Sequence, residues 1–301
     1  MNPISPTPIT SGAGSPASSL NQLNFNSWWG RHTIEPNRID LWRLGPLQLW
    51  IQQFANHWCL SYSHEGDWLD STVRIVPQSV SPSNLVRELP PLDAVKINFS
   101  FASKTRQDLI FTPALADRSI VTRLESPLVI FPRETVHLFI VSALRLRIEL
   151  PDSATLIQEI AIHRPSDTWL GPTNSSGELA YANDAAVFLD LAHVPLRLHC
   201  AVTAIAIRNS RTTALRIDRI CVPFKKLSLF YSARSGFWTD AVLFDHKDDN
   251  SIADHLAIMQ LTKQPPAEAS PCQFVLGPRD ASAESRLVRA FGTSSNEWNS
   301  Q

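Results

Sequence analysis

The sequence predicts an all-β protein with antiparallel β-sandwich architecture, arranged as two sandwich-like lobes with few short helices and disordered termini. First, apolar and polar residues alternate with period two through much of the chain, as in strands that bury one face. Second, proline outnumbers glycine by 22 to 10, and proline interrupts helices while it bounds short strands. Third, 44% of the residues are hydrophobic, which is enough for a sizeable core.

The clearest strand pattern runs from Leu144 to Leu150, where aliphatic residues occupy every second position and charged residues lie between them. One face of such a strand is buried and the other faces water. Alternation also marks residues 47–52, and residues 55–57 predict a hairpin turn before the next strand. Further strands are predicted at 97–101, 136–140, 156–162, 196–207, 214–222, 227–231, 237–244 and 252–261, with short helices at 77–87 and 284–291.

The domain organisation follows from composition. Residues 1–27 contain four prolines and no charged side chain, which predicts a disordered tail because such a segment buries too little apolar area to order itself. We predict a Trp-rich first β lobe over 28–150, a second β lobe over 151–291 and a flexible tail over 292–301. The alternative is that both lobes form one domain, since no Gly/Ser linker marks the boundary.

Charge and cysteine content restrict the classes of partner. The 27 Lys and Arg residues nearly balance 28 Asp and Glu residues, which argues against a general nucleic-acid binder. No stretch approaches the roughly 20 apolar residues of a membrane span, so we expect no membrane insertion. The four cysteines are widely spaced and never form a CxxC pair, which predicts reduced thiols and a cytoplasmic protein. We predict no cofactor and no metal site, because paired zinc ligands are missing from the sequence.

Tryptophan is concentrated near the start of the first lobe. Six of the nine tryptophans fall within 41 residues, namely Trp28, Trp29, Trp42, Trp50, Trp58 and Trp68. Trp50 is out of phase with Leu49 and Ile51, so it faces outward if those residues face the core. An outward tryptophan on a strand forms a partner or sugar contact, or is covered by another part of the chain.

A second candidate region combines carboxylates with aromatic residues. Asp167 and Trp169 lie in one segment, and Glu178 and Tyr181 lie in the next. One interpretation pairs Asp167 with Glu178 as acid and base, with Trp169 as a stacking platform for a sugar. The other interpretation gives Asp167 a role in a local turn and places Trp169 in the core.

Several segments resemble a family of uncharacterised prokaryotic proteins, the domain of unknown function 432. The matching segments are Trp28 to Gly30, Trp42 to Leu47, Leu115 to Arg118, Ser126 to Leu128, Ser166 to Trp169, Gly177 to Ala182, Asn209-Ser210, Leu227 to Leu229 and Trp238-Thr239. They occur in the expected order through most of residues 28–291. The family pattern has an aromatic residue where this chain has Leu170, and a cysteine where it has Ala180. The resemblance implies one fold for the whole chain and assigns no activity.

These observations favour a non-enzymatic binding or assembly module with an aromatic-rich surface. We expect a protein partner or a homo-oligomer, and predict binding residues Trp50, Trp58, Trp169, Tyr181 and Trp238. The alternative is a carbohydrate-binding or glycoside-active β-sandwich, in which Asp167 and Glu178 are the catalytic carboxylates beside Trp169. A third hypothesis is a structural subunit of a larger complex, for which open sheet edges would be the sign.

Overall fold

The chain is folded into short β-strands, joined by turns, in the part that the computed structural model describes. Those residues are 28–36, 38–67, 70–79, 89–100, 108–151, 155–163, 165–170, 177–183, 187–247, 256–281 and 285–292. The tail predicted over 1–27, most of the tail predicted over 292–301, and Trp68 lie outside them. The all-β prediction is confirmed: three one-turn 3-10 helices are the longest helical elements among the described residues.

The strands are numbered in chain order. The first eleven are β1 (Gly30–His32), β2 (Arg38–Leu44), β3 (Leu47–Gln53), β4 (His57–His64), β5 (Val73–Ser79), β6 (Val95–Ser100), β7 (Leu109–Ala114), β8 (Ile120–Ile130), β9 (Thr135–Ala143), β10 (Arg145–Glu149) and β11 (Leu156–Ala161). The others are β12 (Ser166–Leu170), β13 (Glu178–Asn183), β14 (Val187–Phe188), β15 (Cys200–Asn209), β16 (Leu215–Val222), β17 (Leu229–Ser232), β18 (Gly236–Thr239), β19 (Val242–His246), β20 (Leu256–Leu261), β21 (Gln273–Leu276), β22 (Ser285–Arg289) and β23 (Phe291–Gly292).

These strands form four sheets. Two have the strand orders β5-β2-β3-β4-β6 and β1-β7-β10-β11, and a third has the order β12-β13-β8-β16-β23. The fourth sheet has nine strands, and seven of them follow the order β21-β17-β18-β15-β19-β20-β22. The other two are β9, which pairs with β15 along the edge opposite to β18 and β19, and β14, which pairs with β9. Most pairs are antiparallel, but β13 is parallel to β8, and β18 and β19 are both parallel to β15. The sheets therefore depart from purely antiparallel pairing at three places.

One hydrophobic core connects the sheets. Its buried members include Trp42 on β2, Phe111 on β7, Ile205 on β15 and Ile220 on β16. The rings of Trp42 and Phe111 are 5.2 Å apart, so the first sheet packs directly against the second. Three of the four sheets also combine strands from before and after residue 150. This arrangement favours the alternative in which the two predicted lobes form one domain.

The strand patterns read from the sequence correspond closely to observed strands. Leu146 and Ile148 of β10 are fully buried, whereas Arg145 and Arg147, which alternate with them, are half-buried. The predicted hairpin turn connects β3 and β4, where the Phe54 N–H donates to the carbonyl of His57 at 2.8 Å. Period two therefore identified both the strand and the face that is buried.

The predicted helices are wrong wherever the structure describes them. The segment predicted as a helix at 284–291 forms β22 and the first residue of β23, and β22 pairs with β20 from Leu256 to Gln260. A segment of eight residues is too short to hold a helix by itself, so an available strand edge determines its conformation. Residues 77–79 of the other predicted helix belong to β5, an edge strand that accommodates Pro77. Residues 80–88 lie outside the described residues.

Two of the predicted strands that differ in extent from the observed ones lie beside the candidate site. The segment 237–244 is divided into β18 and β19, because Asp240 leaves the ladder and accepts a hydrogen bond from the Ser228 N–H at 2.6 Å. The strand predicted at 196–207 begins only at Cys200, and residues 196–199 form the connection that leads into it. This connection and the start of β18 flank the candidate site described below.

Candidate functional site

A partly open recess of about 200 Å³ lies beside the start of β18 and is here called the Trp238 cleft. Val141, Val202 and Trp238 line its inner side, and Leu196 lines its edge. The pairing register explains how these residues meet: Val202 on β15 is opposite Val141 on β9 and beside Trp238 on β18. The three side chains therefore lie side by side on one face of the nine-stranded sheet.

Local contacts fix the Trp238 side chain. Its indole N–H donates to the Ser235 hydroxyl at 2.9 Å, and its ring meets Phe139 edge to face at 6.5 Å. Gly236, the first residue of β18, has a φ of +76°, and a Cβ there would lie 2.8 Å from Leu196 Cδ1. The positive φ therefore favours glycine at this position, whereas the exposed Leu196 side chain could turn away from a Cβ.

The mouth of the cleft combines apolar and charged side chains. Leu196 is 53% exposed, and Leu189, two residues before the lining residue Leu191, is 66% exposed. Arg197, Arg234 and Glu268 also line the cleft. The recess therefore has an apolar interior and a charged rim.

A buried thiol lines the same cleft. Burial raises the pKa of Cys200 to about 12, although the positive charge of Arg197 acts in the opposite direction. The thiol is consequently protonated at neutral pH, whereas a nucleophilic cysteine needs the thiolate. Cys200 therefore acts as a small apolar lining residue.

The N-terminal tryptophan pair supports the cleft from the core side. The Trp28 indole donates to the carbonyl of Leu198 at 2.8 Å, and its ring lies 6.2 Å from that of Phe237. Trp29 contacts the rings of Phe237 and Tyr231 at 5.9 and 5.4 Å. Two members of the N-terminal tryptophan cluster thus contact both segments between which the cleft opens.

A second feature is a polar cluster where the β7–β8 connection meets β12 and β13. Arg118 contacts Asp167 at 3.0 Å and lies 5.0 Å from the centre of the Tyr181 ring. The Tyr181 hydroxyl donates to Asp117 at 2.9 Å, and Arg145 is 3.4 Å from the same carboxylate. Three of the segments that carry the family resemblance therefore meet in this cluster.

The charged groups of the polar cluster determine which of its side chains are ionised. Burial acts to raise the pKa of Asp117, but Arg145 and the Tyr181 hydroxyl outweigh it and leave this pKa lowered. Burial and the bond to Asp117 raise the pKa of Tyr181. The carboxylate is thus ionised and the phenol protonated at neutral pH. Beyond Arg145 the network continues through Glu159 to Arg279, which donates to Glu159 at 2.6 Å.

The two candidate catalytic carboxylates do not share a face. Asp167 is opposite Tyr181 in the ladder and Glu178 is opposite Leu170. Cross-strand partners share a face, and residues three positions apart face opposite ways, so Asp167 and Glu178 project from opposite sides of the sheet. Glu178 accepts from Ser119 at 2.9 Å, away from Arg118. Paired carboxylates of a glycosidase must flank one substrate, and this register offers no such shared space.

The predicted aromatic residues have different environments. Trp58 lies in the main core, and Trp50 lies on the opposite face of the same sheet, as its phase predicted. Trp50 is nevertheless only 4% exposed, because it packs with Ile39 and Leu41 of β2. Of the two alternatives for an outward Trp50, the structure therefore shows the one in which another part of the chain covers it. Trp169 is 38% exposed and did not join the core, contrary to the second interpretation.

The sequence did not single out most of the residues around the cleft. Val141, Val202, Arg197 and Arg234 were not identified, whereas Trp238 was. The turn that contains Arg234 and ends at Gly236 was the available local signal, since glycine marks a position of special backbone conformation. The register that places β9, β15 and β18 side by side has no local signal in the sequence.

Among the described residues, no group of three or more His, Cys, Asp or Glu side chains is placed to hold a metal ion. In the same part of the chain, no helix has the length and apolar character to span a membrane.

Comparison with known proteins identifies a family for this chain. The model of a family described as Protein of unknown function (DUF432) matches residues 28–294, which include both the Trp238 cleft and the polar cluster. No curated protein and no solved structure matches the chain. The family match extends over most of the sequence, and the chain therefore belongs to the DUF432 family.

Proposed function

We propose that this protein is a non-enzymatic binding module for a protein partner, and that the Trp238 cleft receives one apolar side chain of that partner. The observation that carries the proposal is the apolar recess of Val141, Val202 and Trp238 beside an exposed leucine, Leu196. A pocketed apolar group at the centre of a contact is the usual source of binding energy between proteins.

The size of the cleft supports a side chain as the occupant. Its volume of about 200 Å³ is similar to the roughly 150 Å³ of an apolar protein cavity that binds benzene. Pockets for whole small molecules are larger, about 300–1,000 Å³. A phenyl or isobutyl group fits the cleft, and the rest of its owner must lie outside it.

Exposed apolar residues support a contact that continues past the mouth. Leu189 and Leu196 are both exposed and flank the same short segment, which includes the 3-10 turn Leu191–His193. Contiguous exposed apolar patches mark interaction surfaces, and we propose that both leucines contribute to one such patch. The protonated Cys200 thiol further favours binding over nucleophilic catalysis in the cleft.

The test compares two leucine variants in the full chain. Leu196→Glu places a charge at the mouth of the cleft, and Leu92→Glu, at a fully exposed leucine, is the matched control. Proteins that co-purify with the tagged chain from its own host are quantified for both variants. We expect at least one stoichiometric partner to be lost with Leu196→Glu and retained with Leu92→Glu. Equal recovery with both variants would contradict the proposal.

Native mass spectrometry tests the alternative that the protein forms a homo-oligomer. If the partner is a second copy of this chain, Leu196→Glu lowers the oligomeric state and Leu92→Glu does not. If the wild-type protein is monomeric in that measurement, the partner is a different protein, and the co-purification experiment is the one that identifies it.

We also propose a cytoplasmic location. The four cysteines are all unpaired, including the half-buried Cys59 and Cys272, as expected for a chain kept in a reducing compartment. To check this, the free thiols are counted in protein whose thiol–disulfide state is trapped when the host cells are lysed. Four reactive thiols after unfolding are expected, and any disulfide would contradict the proposal.

A further inference from the structure

We propose that the exposed face of strands β12 and β13 is a separate, non-catalytic binding site for a neutral oligosaccharide. Trp169 is its stacking platform, and Asp167 and Arg118 are the hydrogen-bonding groups beside that platform. The site lies on a different sheet from the Trp238 cleft and does not depend on the function proposed for the cleft. It keeps the sugar platform that the sequence suggested and gives up the catalytic pair of carboxylates.

The pairing of β12 with β13 brings the site together. Asp167 and Trp169 are two residues apart on β12 and therefore lie on the same face of the sheet. Their partners on β13 are Tyr181 and Leu179, so these four side chains share one face. Asp167, Trp169 and Leu179 are exposed there, whereas Tyr181 is buried beneath Arg118. The face therefore presents an aromatic ring beside a carboxylate.

Gly177 sets the position of the indole. The atoms Nε1, Cε2 and Cζ2 of Trp169 lie where a Cβ at Gly177 would be, so the indole rests against the glycine and any side chain there would displace the ring. The indole is thus held from one side, and the Trp169 side chain remains exposed to solvent. A fixed and exposed aromatic surface is suited to stacking on the C–H face of a sugar ring.

Donors and an acceptor lie within reach of a ring that stacks on Trp169. Two residues along a strand span about 6.6 Å, which is close to the width of a pyranose ring with its hydroxyl groups. One Asp167 oxygen contacts Nη1 of Arg118 at 3.0 Å, and among the described residues the other oxygen has no hydrogen-bond partner. Arg118 is held over the Tyr181 ring at 5.0 Å and has further N–H groups to donate. Sugar hydroxyls therefore meet an acceptor and donors that are already positioned.

Charge and shape favour a neutral sugar over other ligands that stack on tryptophan. Asp167 and Arg118 neutralise each other, so a nucleic acid or a phosphorylated ligand finds no surplus positive charge in this pair. The platform lies on an exposed strand face, which does not enclose an apolar side chain of a protein partner as a binding pocket does. Gluco-configured rings present axial C–H groups to an aromatic surface and equatorial hydroxyls at their edges. An oligosaccharide of such rings uses both parts of the site.

The test titrates the full-length protein with neutral and acidic sugars. Cellotetraose and maltotetraose are the neutral probes, and tetragalacturonate is the acidic probe. Binding is followed by the chemical shift of the Trp169 indole N–H in protein labelled with ¹⁵N-tryptophan, a signal assigned with Trp169→Phe. We expect at least one neutral probe to bind with a Kd of about 1 mM, as one stacking platform and a few hydrogen bonds allow. No shift with either neutral probe, or tighter binding of tetragalacturonate than of both, would overturn the inference.

Paired variants identify the groups that bind the sugar, with affinity measured by saturation-transfer NMR on the preferred probe. Asp167→Ala should weaken binding about threefold, whereas Glu178→Ala, on the opposite face of the same two strands, should leave the affinity unchanged. Trp169→Ala should weaken binding about tenfold, whereas Phe274→Ala, at an exposed aromatic residue of another sheet, should not. Circular dichroism establishes that each variant is folded. Equal losses within either pair would contradict the proposed site.

Gly177→Ala tests the platform without removing any binding group. Its Cβ displaces the indole, so the Trp169 signal should move in the free protein and the sugar should bind about threefold more weakly. A moved signal with unchanged affinity would overturn the role of Trp169 as the platform.

These outcomes are separate from those for the Trp238 cleft, because the co-purification with Leu196→Glu is unaffected by whether a sugar binds to β12 and β13. A protein contact is the competing outcome for this face. If no sugar binds, and Trp169→Ala releases a co-purified protein that Phe274→Ala retains, the face is a protein interface and the oligosaccharide site is overturned.

Discussion

The indole N–H of Trp28 donates to the main-chain carbonyl of Leu198 at 2.8 Å, across 170 residues of sequence. Leu198 lies between Arg197, at the rim of the cleft, and the start of β15. The ring of Trp28 also packs beside Phe237, the neighbour of Trp238. One N-terminal side chain therefore connects the two segments between which the cleft opens, and its role is structural support.

We expect Trp28→Phe to destabilise the protein by about 1–3 kcal/mol, because the Leu198 carbonyl loses its donor in a mostly buried setting while most of the ring contact is kept. Urea unfolding followed by circular dichroism measures the loss. Trp169→Phe is the control, since Trp169 is partly exposed and its replacement should cost less. Equal losses in the two variants would contradict a supporting role for Trp28.

The turn between β2 and β3 provides a second test. Gly45 has a φ of +54°, and a Cβ at this position would lie 2.8 Å from His199 Nε2 and 3.1 Å from the Asp70 carbonyl oxygen. We expect Gly45→Ala to cost about 2 kcal/mol or more in the free energy of unfolding, since backbone strain and a clash with a buried ring add together. Thermal and urea unfolding provide the measurement.

Gly66→Ala separates the two causes. Gly66 has a φ of +92°, but a Cβ there meets no atom within 4 Å. Its replacement should therefore cost the backbone strain alone, and the excess loss in Gly45→Ala reports the contact with His199. A smaller loss in Gly45→Ala than in Gly66→Ala would show that the His199 contact relaxes without cost.

The polar cluster predicts a dependence of stability on pH. The pKa of Asp117 is lowered in the folded state, where Arg145 and Tyr181 together outweigh burial, and its value in the unfolded chain is about 3.9. Its contribution to stability is therefore fully present above pH 4 and is lost as the pH falls through the lower folded pKa. We expect Asp117→Asn to be less stable than the wild type at pH 6, with the difference shrinking below pH 4.

Tyr181→Phe is the companion variant for this measurement. It removes the hydroxyl that donates to Asp117 and leaves the ring under Arg118. In the Tyr181→Phe background the pH-dependent part of the Asp117→Asn difference should be smaller. A difference that stays constant from pH 3 to pH 6 would contradict a lowered pKa for Asp117.

The strands were predictable because each buries one face against a common core. The alternation from Leu144 to Leu150 gave both β10 and its buried residues, Leu146 and Ile148. The phase of Trp50 was also predictable, but its burial was not. Burial of Trp50 depends on Ile39 and Leu41, which reach it only through the pairing of β2 with β3.

The cleft was less predictable than the strands that form it. Val141, Val202 and Trp238 come from three strands, and only the register of β15 with its neighbours on both sides brings them together. Parallel pairing of β15 with β18 requires a long connection, so no turn motif in the sequence indicates that these two strands are neighbours. The pairing of the two carboxylates could not be predicted for a related reason. Their spacing in the sequence does not show which face of the sheet each one occupies, and the register of β12 with β13 places Asp167 and Glu178 on opposite faces.

The last prediction concerns Asp240, the residue that divides the segment predicted as a single strand. Its carboxyl is buried, and one oxygen accepts from the Ser228 N–H at 2.6 Å while the other makes no hydrogen bond. Burial raises the pKa of this carboxyl, although the Ser228 N–H opposes the change. A raised folded pKa means that the folded state resists ionisation. The free energy of unfolding should therefore fall as the pH rises from about 4 to the folded pKa.

Asp240→Asn keeps an acceptor for Ser228 and cannot ionise, so it should remove this loss. We expect the stability of Asp240→Asn relative to the wild type to increase between pH 4 and pH 7, on top of an offset that does not change with pH. Asp93→Asn, at an exposed position, should show a nearly constant difference over the same range. Urea unfolding at intervals of half a pH unit measures both differences. A relative stability of Asp240→Asn that decreases with pH would mean that the folded state favours the ionised carboxylate, which is the behaviour expected of Asp117 and the opposite of that expected here.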